Sequence, residues 1–147
     1  MRYSEAGLGR VFVIRLEDGD SLPEAIEDFA REKGVRHAAC LLVGGIRGGS
    51  RLVVGPESEE AMPPVPVTLA LEGVHEAAGV GTIFPDEQGT PSLHLHAACG
   101  RGEETKTGCV RPGVDIWKVG EIVIIELTGS RAVRKRDPET GFNLLEP

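Results

Sequence analysis

At 147 residues, 40% apolar and 27% charged, the chain has the size and balance of one ordinary globular domain spanning 1–147. Its 16 basic residues against 23 acidic ones give a formal charge of −7, which disfavours nucleic acid as a partner because that affinity rests on neutralising phosphates. No signal peptide opens the chain, no apolar run approaches transmembrane length, and the three cysteines are an odd number, so the expectation is a reduced, cytoplasmic protein with no membrane partner. Twenty glycines and ten prolines favour strands and turns over long helices.

In chain order, Arg10 to Leu16 alternates polar and apolar residues and reads as a strand, closed by a turn at Glu17 to Asp20. Ser21-Leu22-Pro23-Glu24 fits a capping box with Ser21 as N-cap, and Leu22, Ile26, Phe29 and Ala30 recur at helical spacing until Gly34. Ala38 to Val43 is a buried strand. The glycines from Gly44 to Gly49 lack the Gly-Lys-Ser/Thr ending of a phosphate loop and predict a bend before a strand at Arg51 to Val54. A proline-rich loop follows, then strands at Val67 to Leu71 and Glu76 to Phe84, a turn at Pro85 to Pro91, and a strand from Ser92 onward. Further strands are expected at Asp115 to Lys118, Glu121 to Thr128 and Ser130 to Arg136, with an irregular tail from Asp137. The expected fold class is α+β: a strongly curved, mainly antiparallel sheet of about seven strands with one main helix packed on it.

The strand Ser92 to Gly100 carries His94 and His96, half of the four histidines in the chain. Residues two apart in a strand share a face, so both imidazoles point one way, and Leu93, Leu95, Ala97 and Cys99 point the other. Two neighbouring imidazoles repel if both are protonated and are comfortable if neutral and sharing a metal. If the hairpin turns near Gln88, Thr82 faces His94 and Val80 faces His96.

Several segments together resemble the plant-and-prokaryote conserved domain: Gly9 to Leu16, Leu42-Val43-Gly44-Gly45-Ile46-Arg47, His75 to Ile83, Leu93 to Ala97, Thr107 to Val110, and Trp117 to Glu121. The resemblance implies a sheet-rich homotrimer and a metal, zinc or another divalent transition ion, held by histidines. In plant relatives AT-hook motifs beside the domain bind DNA. This chain lacks the Arg-Gly-Arg-Pro core, and Gly100-Arg101-Gly102-Glu103 turns acidic at once.

The resemblance supplies His75 as a third metal ligand beside His94 and His96. Hairpin geometry opposes a simple site, because His75 lies roughly 15 Å or more along the strand at about 3.3 Å per residue. A bend or a neighbouring subunit would have to complete it. Glu76 could act as base or fourth ligand, or be a surface charge. Arg47 could hold an anion, or sit in a salt bridge. Cys109 could supply a thiolate, or be a plain buried thiol. His37 reads as a surface residue, and the basic run Arg131 to Arg136 as a solvated strand edge. Three functions stay open: a metal-binding trimer with a small-molecule ligand, hydrolase or lyase; a DNA-associated regulatory module; and a pure interaction domain.

Overall fold

The computed structural model describes residues 1–147. Its elements are β1 (Gly7–Leu16), β2 (Ser21–Leu22), α1 (Glu24–Lys33), β3 (Ala38–Ile46), β4 (Arg51–Pro56), β5 (Pro66–Ala70), β6 (His75–Pro85), β7 (Pro91–Arg101), β8 (Glu104–Cys109), β9 (Val114–Thr128), β10 (Val133–Arg136) and β11 (Asn143–Glu146). One nine-stranded antiparallel sheet runs β1-β9-β3-β6-β7-β8-β4-β5, with β2 also paired to β9; β10 and β11 form a separate ribbon.

This overturns the α+β expectation of about seven strands. Strands hold 57% of the residues and helix 7%, in a single ten-residue element. The undercount has local causes. β8 is built largely on polar residues, Glu104-Thr105-Lys106-Thr107, with no apolar alternation to announce it. β9 runs unbroken through Lys118, whose φ of 58° lets the strand bulge instead of ending. The tail is ordered by pairing of β11 with β10. The capping box is also absent: Ser21 pairs with Asp115 in β2, and Pro23 occupies the N-cap with no side-chain hydrogen bond. The C-terminal end is as the sequence indicates, with Gly34 left-handed at φ 66°.

The two faces of the sheet differ. Leu42, Ile83, Leu95, Ala97, Cys99, Ile122 and Ile124 point to the helix side and join Ile26 and Ala30 of α1 in a cluster of 22 buried residues. The other face is open. One cross-strand row on it reads Val13, Val123, Leu41, Val80, His96, Cys109, each the register partner of the next. The adjacent row reads Val11, Ile125, Ala39, Thr82, His94. Val13 is 82% exposed and Val80 67% exposed, so an apolar stripe crosses the open face and ends at the two histidines.

Gly44 keeps β3 close to β9. Its φ is 145°, and a Cβ there would fall on the Val119 carbonyl oxygen, so only glycine fits the bulge.

Candidate metal centre

The β6–β7 hairpin sets the histidines. Asp86 Oδ1 accepts from the backbone N–H groups of Gln88 (2.9 Å) and Thr90 (2.8 Å), and Gly89 takes φ 86°, which fixes the turn. The resulting register pairs Thr82 with His94 and Val80 with His96, as the position of Gln88 indicates. The chain then reverses at Gly102, φ 60°, and β8 returns alongside β7 until Cys109 lies directly across from His96. On its other edge β8 packs closely on β4 at Gly108, where a Cβ would lie 2.5 Å from the Val53 carbonyl oxygen.

The ligand atoms of His94, His96 and Cys109 all lie within 4.8 Å of one another. The two Nε2 atoms are 3.1 Å apart, with ring centroids 5.0 Å apart and planes at 73°. Two imidazole nitrogens bound tetrahedrally to one zinc at about 2.0–2.1 Å would stand about 3.3 Å apart, so the pair is already near ligand spacing. His94 is half-buried, His96 exposed and Cys109 buried at 6% exposure. Burial, with the charges of Arg134, His96 and Arg111 adding to it, pushes the His94 ring down to about 4. At neutral pH that ring is uncharged, the form that ligates a metal.

Two arginines border the three donors. Arg134 on β10 is buried and donates from Nη2 to Thr82 Oγ1 at 3.0 Å; its Cζ lies 5.7 Å from the Phe84 ring centroid. Arg111 follows Cys109 by two positions and is exposed. The β10 segment is anchored where His37 Nε2 donates to the Ala132 carbonyl (3.0 Å) and the Arg136 N–H donates to Glu87 Oε1 (3.2 Å). His37 is therefore half-buried and holds this arm instead of lying free on the surface. The basic run Arg131 to Arg136 is divided: Arg134 turns inward, while Lys135 pairs with Glu146 at 3.2 Å.

The structure does not bring His75, Glu76 or Arg47 to the pair. His75 opens β6 opposite Ile46, on the core face, 4% exposed, with Nδ1 donating to the Gly73 carbonyl at 3.0 Å. It lies five positions from Val80, about 16 Å at about 3.3 Å per residue, and on the other side of the sheet. Glu76 is exposed on the open face, four positions from Val80, about 13 Å away. Arg47 Nη2 donates to Asp18 Oδ1 at 2.8 Å, and Lys118 Nζ meets the same carboxylate at 3.0 Å, which is the salt-bridge alternative realised within the chain. Sequence reasoning did not single out Arg134, Arg111 or Thr82. Thr82 had a signal in its expected pairing with His94, and Arg134 lay within the basic run read as a solvated strand edge.

Among solved structures, the chain resembles a metal-containing protein, AF0104, from Archaeoglobus fulgidus (24% identical, TM-score 0.86, all of both chains covered). It also resembles a plant- and prokaryote-conserved protein from Pyrococcus horikoshii (25% identical, TM-score 0.86, 100% of this chain and 98% of that one). A third neighbour, from Ralstonia eutropha JMP134 and described as a candidate DNA-binding protein, is 24% identical with TM-score 0.68, over 92% of this chain and 90% of that one. The bifunctional protein GlmU of Synechococcus sp. (strain JA-3-3Ab) is 29% identical over 134 residues; the match takes in 90% of this chain but 20% of that protein, so the chain spans about a fifth of its curated relative. The profile of the Plants and Prokaryotes Conserved (PCC) domain matches residues 3–128, and the chain belongs to that family.

Proposed function

We propose that this protein binds a divalent transition metal, zinc in the first place, through His94, His96 and Cys109. The carrying observation is the convergence of two imidazole nitrogens and one thiol within 4.8 Å, a donor set that suits zinc. Cys109 takes the third place that the family resemblance assigned to His75. The metal-containing neighbour of the same fold accords with this reading. Three protein donors leave one coordination position open, and a zinc ion bound there would supply Lewis-acid character. Around it, this chain's own residues hold His94 neutral and place Thr82 and Arg134 beside it. What these residues support is binding of the metal, with no reaction assigned to it.

The same reading makes the protein a homotrimer. Its support is the apolar stripe from Val13 through Leu41 to Val80, which a second copy would cover and which runs into the histidines.

Metal analysis of protein purified without a nickel column tests the proposal. About one equivalent of zinc per chain is expected, lost in a protein carrying His94→Ala and His96→Ala. Only traces of metal in the unsubstituted protein, after growth and dialysis in zinc, would sink it.

A further inference from the structure

Arg134 is a buried side chain that the three metal donors do not explain. It is 7% exposed, and its Nη2 donates to Thr82 Oγ1 directly across from His94. Its Nε has no hydrogen-bond partner. A guanidinium carries five donors, and leaving one unpaired and buried is costly. Neither Arg134 nor Arg111 takes part in any of the ion pairs of the molecule. Both act electrostatically on His94, and Arg134 lies close enough to Cys109 for their charges to couple. Arg134 thus stands against the histidine strand through Thr82, Arg111 follows the Cys109 donor by two positions, and neither forms an ion pair with a carboxylate. Planar donor forks in that setting recognise oxyanions.

We infer that Arg134 and Arg111 form an oxyanion seat beside the metal donors, so that the site takes a small carboxylate or phosphate ligand, one oxygen of which reaches the position the three protein donors leave open. This rests on the metal reading above. It adds the class of ligand, and assigns its orientation to Arg134, with its orphaned Nε, and its attraction to the exposed Arg111. The ion pairs elsewhere in the molecule show that arginines near acids do pair here, as Arg47 does with Asp18. Other arginines also lack an acidic partner, but they keep access to solvent, whereas Arg134 is buried without one.

Cobalt(II)-substituted protein in a non-coordinating buffer near neutral pH separates the two readings. A thiolate-to-cobalt band in the near ultraviolet reports the metal on Cys109, and the visible d–d bands report what fills the open position. Acetate and inorganic phosphate are titrated in separate arms. A saturable d–d change with either supports the inference, and the arm that responds identifies the source as carboxylate or phosphate. Arg134→Gln should weaken that anion at least about tenfold while cobalt affinity stays as it was. Arg111→Gln, at an exposed position, should fold normally and weaken it less. If the thiolate band is missing, the metal reading and this inference fall together. If the band is present and neither anion shifts the d–d spectrum up to about 10 mM, the metal reading stands and the inference is overturned. If Arg134→Gln does not fold, Arg111→Gln and Arg134→Lys decide, and anion affinity unchanged in both would also overturn it.

Discussion

The Nε2 atoms of His94 and His96 lie 3.1 Å apart across one face of β7, while Cys109 sits directly opposite His96 on β8. Without an ion, one ring N–H donates to the other ring nitrogen; an ion would replace that proton at small structural cost. Metal binding should therefore stabilise the fold. At free zinc about 100 times the dissociation constant the gain is about 2.7 kcal/mol, a rise of about 5–10 °C in Tm for a chain of this size. Thermal unfolding with zinc and with chelator measures it. His96 is exposed, so His96→Ala should leave the chelated protein nearly unchanged and abolish the zinc-dependent shift.

Cys109→Ser keeps the size of a buried side chain and removes the thiolate. Zinc affinity should fall by at least about 100-fold, more than the loss of an outer-shell partner produces. Competition with a chromophoric chelator reads this directly, and unchanged affinity would show that the thiol is not a ligand.

The pH dependence of the metal-free protein follows from His94, which burial and the neighbouring arginines hold down to about 4, below its ordinary value of 6.5. The unfolded chain takes up a proton between these values and the folded chain does not, so stability is present above 6.5 and declines as pH falls towards 4. The ring is half exposed, and solvent screening reduces the effect to about 1 kcal/mol. Urea titrations across this range should show that decline, and His94→Gln should flatten it.

Val13 is 82% exposed in the apolar row yet four strands away from His96. Val13→Asp should leave the stability of one chain within about 0.5 kcal/mol, and should reduce the mass seen by light scattering to that of a single chain. An unchanged mass would show that another surface holds the assembly.

Gly81 packs against the histidine strand: a Cβ there would lie 2.7 Å from the His94 carbonyl oxygen and 2.7 Å from Leu95 Cβ. Gly81→Ala should cost about 1–3 kcal/mol and also weaken metal binding, because β6 must move away from His94. Chemical denaturation and zinc titration of the same variant check both parts.

Much of the hairpin was readable along the chain. Alternation put His94 and His96 on one face and Leu93 and Leu95 on the other, and the turn residues Asp86 and Gly89 set the register that pairs them with Thr82 and Val80. That register also carried a warning about His75. Its odd position on β6 belongs with Ala77 and Ile83 on the core face, while Val80 and Thr82 lie on the open face. The α+β expectation failed for a related reason. Residues 104–107 are polar because this part of β8 is open to water on both faces, and nothing local distinguishes such a strand from a loop.

Local order in the sequence determined the pair: two imidazoles, on one side of a strand, at a spacing set by the pleat. The third donor and the arginines were decided only by tertiary structure. Cys109 reaches His96 because β8 folds back at Gly102, and Arg134 reaches Thr82 because His37 and Glu87 tie the β10 arm across β6. A strand's period says which way a side chain points. Which side chains it meets depends on turns and pairings formed far along the chain, where no periodicity reaches.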